Sequence, residues 1–474
     1  MRRWLVLALV ISAMLVGGLR AATAPPVYLP IVIGPSNLTA SNNLLVTTAT
    51  FLGGAGADTA KAVDIAPDGA VVLGGSFPGF TFPGVVSPTV VVGASSGVVL
   101  RLNSDGSAIL SATRIGAEVR DLEVNNAGLI AVCGDFGVAT LPANGGAPLW
   151  SEGARAVARC AIGADGTVAA LAGTTVYVYS PAGQQSASWG LGVSAASDLA
   201  LDSASGTVFV TGYKQDDGGS CSVLQIAFLR GYSLGGQQSW TSYDWNKSQV
   251  GAANICADTR GERVAIGRDG KLYFAGTING GTGASIFARD PKNINTRLDG
   301  SRNVATDSYN NATNTGSVKM TWFGRYSPAD GALELGSSLL TRLSSGRGNS
   351  IAPNAITADE QGRVYMAGGT ACCLPNRDRL TVGGAAVGSY ASDEAYIVMF
   401  TPDFKTRLHW TPLAGPSPAS AGSSPASGIA VRNGIAAASL TFSPAAGRGL
   451  ITLRPLQGTP GGGTDGYVVV WPGR

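Results

Sequence analysis

Few residues in this chain have both the type and the spacing to do chemistry. Six are cysteines: Cys133, Cys160, Cys221, Cys256, Cys372 and Cys373. An even set fits disulfides in an oxidising compartment. Order along the chain suggests Cys133 with Cys160 and Cys221 with Cys256, without fixing the connectivity. The adjacent Cys372 and Cys373 form either a strained vicinal disulfide or two free thiols. No cysteine pair has zinc-knuckle spacing and His409 is the only histidine, so no metal site is expected from these residue types. Serine–histidine catalysis would have to rest on His409, which lies inside an apolar strand pattern.

The other candidates are loop clusters. The long segment NGGTGASIFARDPKNINTRLDGSRNVATDSYNNATNTG, residues 279–316, is rich in Asn, Asp and Arg and has little periodicity. Long connections of this kind are often functional. Arg289, Asp290, Lys292, Arg297, Asp299, Arg302 and Asp307 can line a polar binding surface, and Tyr309 can stack on a sugar ring. The plainer alternative is a solvated decoration on a rigid frame. In GTACCLPNRDRL, from Gly369, a bonded Cys372–Cys373 turn would present Arg377, Asp378 and Arg379 on one face. A structural turn is the simpler reading there, since redox pairs are usually spaced. In KQDDGGSC, from Lys214, Asp216 and Asp217 suggest calcium held with loop carbonyls, although a polar hairpin tip explains them as well. No cofactor is otherwise expected. Paired carboxylates for glycoside cleavage would have to meet in the fold, since nothing in sequence order marks them.

The elements that position these clusters are strands. The chain of 474 residues holds 67 glycines, is 45% hydrophobic and only 13% charged, a composition of short strands joined by tight turns rather than of disorder. One pattern recurs seven times: an apolar strand, a polar Gly turn, and a second strand ending in small residues. It runs as AVDIAPDGAVVLGGS from Ala62, VRDLEVNNAGLIAVCGDF from Val119, ARCAIGADGTVAALAG from Ala158 and ASDLALDSASGTVFVTGY from Ala196. It returns as ERVAIGRDGKLYFAGT from Glu262, PNAITADEQGRVYMAGGT from Pro353 and ASGIAVRNGIAAASLTF from Ala426. Asp-Gly and Asn-Gly pairs at such sites favour hairpins. A second hairpin follows most copies, as in GVVLRLNSDGSAILSATR from Gly97. Two hairpins per copy predict an all-β fold, a single seven-bladed β-propeller.

The seventh copy lacks a fourth strand. Its third is GYVVVW at the C-terminus, and NNLLVTTATFLGG from Asn42 matches the missing one. Leu44–Phe51 is therefore expected to pair with Tyr467–Trp471, closing the propeller by joining both ends of the chain in the last blade. Trp150, Trp189, Trp240, Trp245, Trp322, Trp410 and Trp471 are read chiefly as packing between sheets, with carbohydrate stacking as the alternative.

The repeats resemble the SBBP-type β-propeller repeats of bacterial secreted and surface proteins. DIAPDGAVVLGGSFPGFTFPG from Asp64 carries the likeness best, with Gly75, Ser76, Phe82 and Pro83. ITADEQGRVYMAGGT with AYIVMFTPDFKTRLHWTPLAG is also close. The resemblance covers most of residues 42–474 and is weak in the second, third and seventh copies, which lack the Phe-Pro segment. It implies a secreted or surface propeller and no defined reaction.

Residues 1–24 read as a signal peptide, with Arg2 and Arg3 before an apolar run and small residues at Ala22–Ala24; an uncleaved anchor is the alternative. Residues 25–41 are a linker and 42–474 the propeller. Loss of Arg2, Arg3 and Arg20 brings the formal charge of +3 to zero, which argues against a nucleic-acid partner. No membrane span is expected in the mature form. The expectation is a non-enzymatic binding module for an extracellular carbohydrate or protein. A structural subunit of a surface assembly is the alternative, and a carboxylate-dependent glycan-processing enzyme the minor one.

Overall fold

The computed structural model describes residues 43–473 apart from 92, 218–222, 281, 300–302, 307–318, 344, 346–347, 372–373, 375–380, 389–393, 416–423 and 444–448. The signal and linker assignments lie outside the described residues. The chain forms a β-propeller. Each Gly-turn repeat folds as the first hairpin of an antiparallel sheet, and a second hairpin completes it. In the first copy the Ala66 N–H donates to the Ala70 carbonyl at 2.8 Å and the Gly69 N–H to the Ala66 carbonyl at 2.9 Å. Gly69 has φ of 87°, a left-handed conformation that a side chain would disfavour.

The seven-bladed ring closed through hydrogen bonds needs correction. The described residues form eight sheets of three or more strands: six four-stranded, one five-stranded and one three-stranded. Among the described residues no sheet closes on itself. The five-stranded sheet gains Thr89–Val90, parallel to Ile109–Arg114. The three-stranded sheet was not legible from the repeats, because it is made between them. Asn43–Leu44 pairs in parallel with Thr381–Val382, which pairs with Ala385–Ala386.

The two ends of the chain do share one sheet. Thr48–Leu52 runs antiparallel to Asp465–Pro472, with Thr48 opposite Val470 and Phe51 opposite Tyr467. Leu44 belongs to the parallel strip instead, so this pairing starts later than expected. It completes one sheet, and side chains pack this sheet against its neighbours. The burial of Tyr467–Trp471 explains its unbroken apolar run. Val468 and Val470 pack with Leu73, Leu100 and Phe77 of the first sheet, while Tyr467, Val469 and Trp471 face the other way, among Phe51, Ile397 and Leu440. Successive residues of a strand point to opposite faces, and both faces here are covered.

Between sheets the tryptophans pack on positive-φ glycines. A Cβ on Gly183 would meet Trp150 at 2.6 Å, one on Gly236 would meet Trp189 at 2.7 Å, and one on Gly331 would meet Trp240 at 2.4 Å. In each pair the tryptophan of one sheet's fourth strand covers a turn of the next sheet, so these rings are packing residues.

The described part of residues 279–316 is not a solvated decoration. Ile286 and Phe287 are fully buried. Phe287 stacks on Trp322 at 6.1 Å and meets Tyr243 edge-on at 4.9 Å. Ile294 joins the same buried cluster, and Ala284, Leu298 and Val304 pack against it, so scattered apolar residues without periodicity anchor the segment. Among the described residues no helix is long and apolar enough to cross a membrane.

Candidate functional site

The first strands of the seven repeats line a central channel: Thr59–Ile65, Val119–Val124, Arg159–Ile162, Ala195–Asp202, Asp258–Ile266, Ile351–Ala358 and Ala426–Arg432. A first strand has a partner on one side only. Its other edge needs hydrogen-bond partners, which neighbouring backbone supplies only in places, as where the Arg268 N–H donates to the Ala358 carbonyl at 2.9 Å. Carboxylates supply others. Asp64 Oδ2 accepts from the Val124 N–H at 2.7 Å, Asp121 Oδ2 from the Cys160 N–H at 3.1 Å, Glu123 Oε2 from the Ile162 N–H at 3.2 Å and Asp198 Oδ2 from the Val264 N–H at 3.0 Å. In each case the acid reaches the first strand of the next sheet. Further round, Asn354 donates to the Ala426 carbonyl at 2.8 Å and Arg432 to the Ile65 carbonyl at 3.2 Å.

Cations alternate with these acids. Arg159 lies 4.0 Å from Asp121 and 3.6 Å from Asp198. Arg268 lies 3.2 Å from Asp64, and Arg263 donates to the Asn354 carbonyl. Burial pushes Asp121 up to about 6, with Arg159 opposing and Asp198 adding to the rise. Burial pushes Glu123 up to about 8, helped by the charge of Asp64. Burial and the neighbouring Arg159 lower Arg263 to about 10. Burial works against the Arg159 cation, but Asp121 and Asp198 raise it overall.

At one end the channel widens into a cavity of about 460 Å³ lined by Lys61, Glu118, Arg120, Arg159, Arg263 and Asn354, among others. Arg120 pairs with Glu118 at 3.2 Å and Lys61 approaches it at 3.8 Å. These side chains are 32–40% exposed, so they are free to exchange partners at little cost. The cavity falls within the size range of small-ligand sites, yet its walls are charged rather than apolar.

None of these channel residues was singled out from the sequence. A signal was present: polar residues interrupt the first strand of several repeats, and Asp121 and Glu123 stand two apart, on one face.

The residues the sequence did single out lie elsewhere. Arg289, Asp290, Lys292 and Arg297 share one small hairpin, Arg289–Asp290 with Asn293–Arg297. Lys292 donates to the Thr241 carbonyl at 2.7 Å and sits over the Trp240 ring at 5.1 Å. Arg289 donates to the Ala253 carbonyl at 3.3 Å. Arg297 and Asp299 are exposed. Arg302, Asp307, Tyr309, Arg377, Asp378 and Arg379 lie outside the described residues. Lys214, Asp216 and Asp217 lie at the end of the strand Thr207–Asp217, which forms a hairpin with Val223–Ser233 and has Asp217 opposite Val223. Asp216 Oδ2 accepts from the Lys247 N–H at 2.9 Å. His409 is buried within the strand Arg407–Pro412.

The cysteine expectations are corrected in part. Cys133 and Cys160 come together, as their order suggests, but as free buried thiols. Cys256 is disulfide-bonded. Cys221, Cys372 and Cys373 lie outside the described residues. With Asp121, Cys133 and Cys160 form a potential metal-binding group whose ligand atoms lie within 4.8 Å of one another. Two sulfurs and a carboxylate are donors for zinc or copper(I), not for calcium, which takes oxygen. Burial raises both thiols, which opposes the thiolate form a metal needs.

No protein-family model matches the chain, and no curated protein matches it. The β-propeller thus stands on the sheets themselves, and no comparison ties the repeats to the SBBP family.

Proposed function

We propose that this protein is a non-catalytic binding module that takes a polar extracellular ligand, an acidic carbohydrate, at the wide mouth of its channel. One observation carries the reading: Lys61, Arg120, Arg159 and Arg263 line one cavity of about 460 Å³ that holds a single carboxylate, Glu118, approached by Lys61 and Arg120. Exposed guanidinium and ammonium groups pair with sugar carboxylates or sulfates, and guanidinium does so in bidentate fashion. Rigid sheets hold these groups in place, as a preorganised site requires. The likeness of the repeats to SBBP repeats and the apolar N-terminal run support a secreted or surface location.

The test is a glycan-array screen of the mature domain. Binding to acidic glycans that is lost in the Lys61→Ala/Arg120→Ala variant and kept in Lys292→Ala supports the mouth as the site. Binding lost in Lys292→Ala alone moves the site to the hairpin at 289–297. A clean negative for folded protein overturns the reading and leaves a surface scaffold. A second reading, carboxylate-assisted glycan cleavage, is favoured by Glu123 alone, an acid pushed up to about 8 beside Asp64, as a general acid must be. Sugar release by the wild type but not by Glu123→Gln would establish it.

A further inference from the structure

Two aspartates unconnected with the channel lie where the ends of the chain meet. Asp58 closes the glycine-rich link between Thr48–Leu52 and Thr59–Ile65, and Asp465 begins the C-terminal strand. Both are 0% exposed. The Gly54 N–H donates to Asp58 Oδ2 at 2.8 Å, and the Gly461 and Gly462 N–H groups to Asp465 Oδ1 and Oδ2 at 3.0 and 3.5 Å. A Cβ on Gly53 would lie 2.1 Å from Asp465 Oδ1 and 3.0 Å from Asp58 Oδ2. The two carboxylates therefore flank one glycine that has no room for a side chain.

Among the described residues neither carboxylate has an ion-pair partner. Arg114, the cation whose field reaches Asp58, donates instead to the carbonyls of Phe77, Phe80 and Ser95. Asp58 Oδ1 is buried and has no hydrogen-bond partner among the described residues. Two adjacent buried carboxylates with a vacant oxygen are costly unless a cation or a shared proton compensates them. Peptide oxygens are at hand: the carbonyls of Gly53 and Gly54 lie 2.8 and 2.5 Å from the place a Gly461 Cβ would take.

We propose that Asp58 and Asp465, with peptide carbonyls of the two glycine-rich links, bind a hard divalent cation of the calcium class that ties the start of the propeller to its end. An all-oxygen donor set with two carboxylates and a flexible glycine frame suits calcium better than zinc or copper. The position differs from Asp216 and Asp217, and the reading does not depend on what the channel binds.

The full chain, stripped with a chelator, is titrated with calcium chloride by calorimetry and followed in thermal melts. One saturable site is expected, with a rise in Tm of about 3 °C at saturating calcium. Asp58→Asn should weaken binding at least about tenfold, since a carboxylate ligand is lost. Hydrogen exchange of the wild type serves as a measurement that needs no variant: calcium should slow exchange at residues 53–58 and 461–465. No saturable binding, undiminished binding in Asp58→Asn, or protection confined to other segments would each overturn the proposal. A Tm that follows pH but not calcium would show a shared proton instead.

Discussion

Phe51→Ala tests whether the N-terminal strand belongs to the cooperative core. Phe51 is 1% exposed. Its ring meets Phe442 edge-on at 5.3 Å and Tyr467 at 5.4 Å, so it touches both the C-terminal strand and the strand beside it. Truncating a buried phenylalanine costs about 3–5 kcal/mol through lost burial and the cavity left behind, and two edge-to-face contacts place this site towards the upper end. Urea unfolding should show the midpoint falling while the slope stays constant, because the surface exposed on unfolding is unchanged. Phe442→Ala should be non-additive with it, since the two rings share one contact. Val86→Ala is the control: Val86 is 97% exposed, and its loss should be within about 0.5 kcal/mol of neutral. A Phe51→Ala loss below about 1 kcal/mol, or an early separate transition, would refute the idea that this strand is integral to the fold.

Two further outcomes follow from the same reasoning. Phe287→Ala should destabilise the protein by about 3–5 kcal/mol, because the ring is buried against Trp322 and Tyr243; a near-neutral result in denaturant melts would restore the segment as a dispensable decoration. Glu123 has a folded pKa of about 8 against an ordinary 4.5, so the folded state holds its proton more tightly. Stability from this group therefore declines as pH rises from 4.5 to about 8 and stays low above that. Glu123→Gln should be more stable than wild type at pH 9 and lose that advantage towards pH 4.5. An advantage independent of pH would contradict the assigned cause.

The resemblance of seven stretches to one another was enough to predict a propeller, because a hairpin with Asp-Gly or Asn-Gly at its turn is a local object. Its signals lie within about fifteen residues, as between Ala62 and Ser76. The C-terminal run Tyr467–Trp471 likewise announced a strand that needs a partner, since its apolar run has no polar alternation. What the sequence left undetermined depends on groups far apart in the chain. The parallel strip between Asn43–Leu44 and Thr381–Val382 joins residues more than three hundred positions apart, and no local pattern encodes such a pairing. Arg159 acquires its role only when the propeller places it between Asp121 and Asp198. Nothing local in the sequence marks Asp58 or Asp465, and only the meeting of the two chain ends makes them neighbours. Local hydrogen bonding and side-chain alternation thus determined the strands and their turns, while the fields, burial and spacing that make a site came from packing the sheets around a common axis.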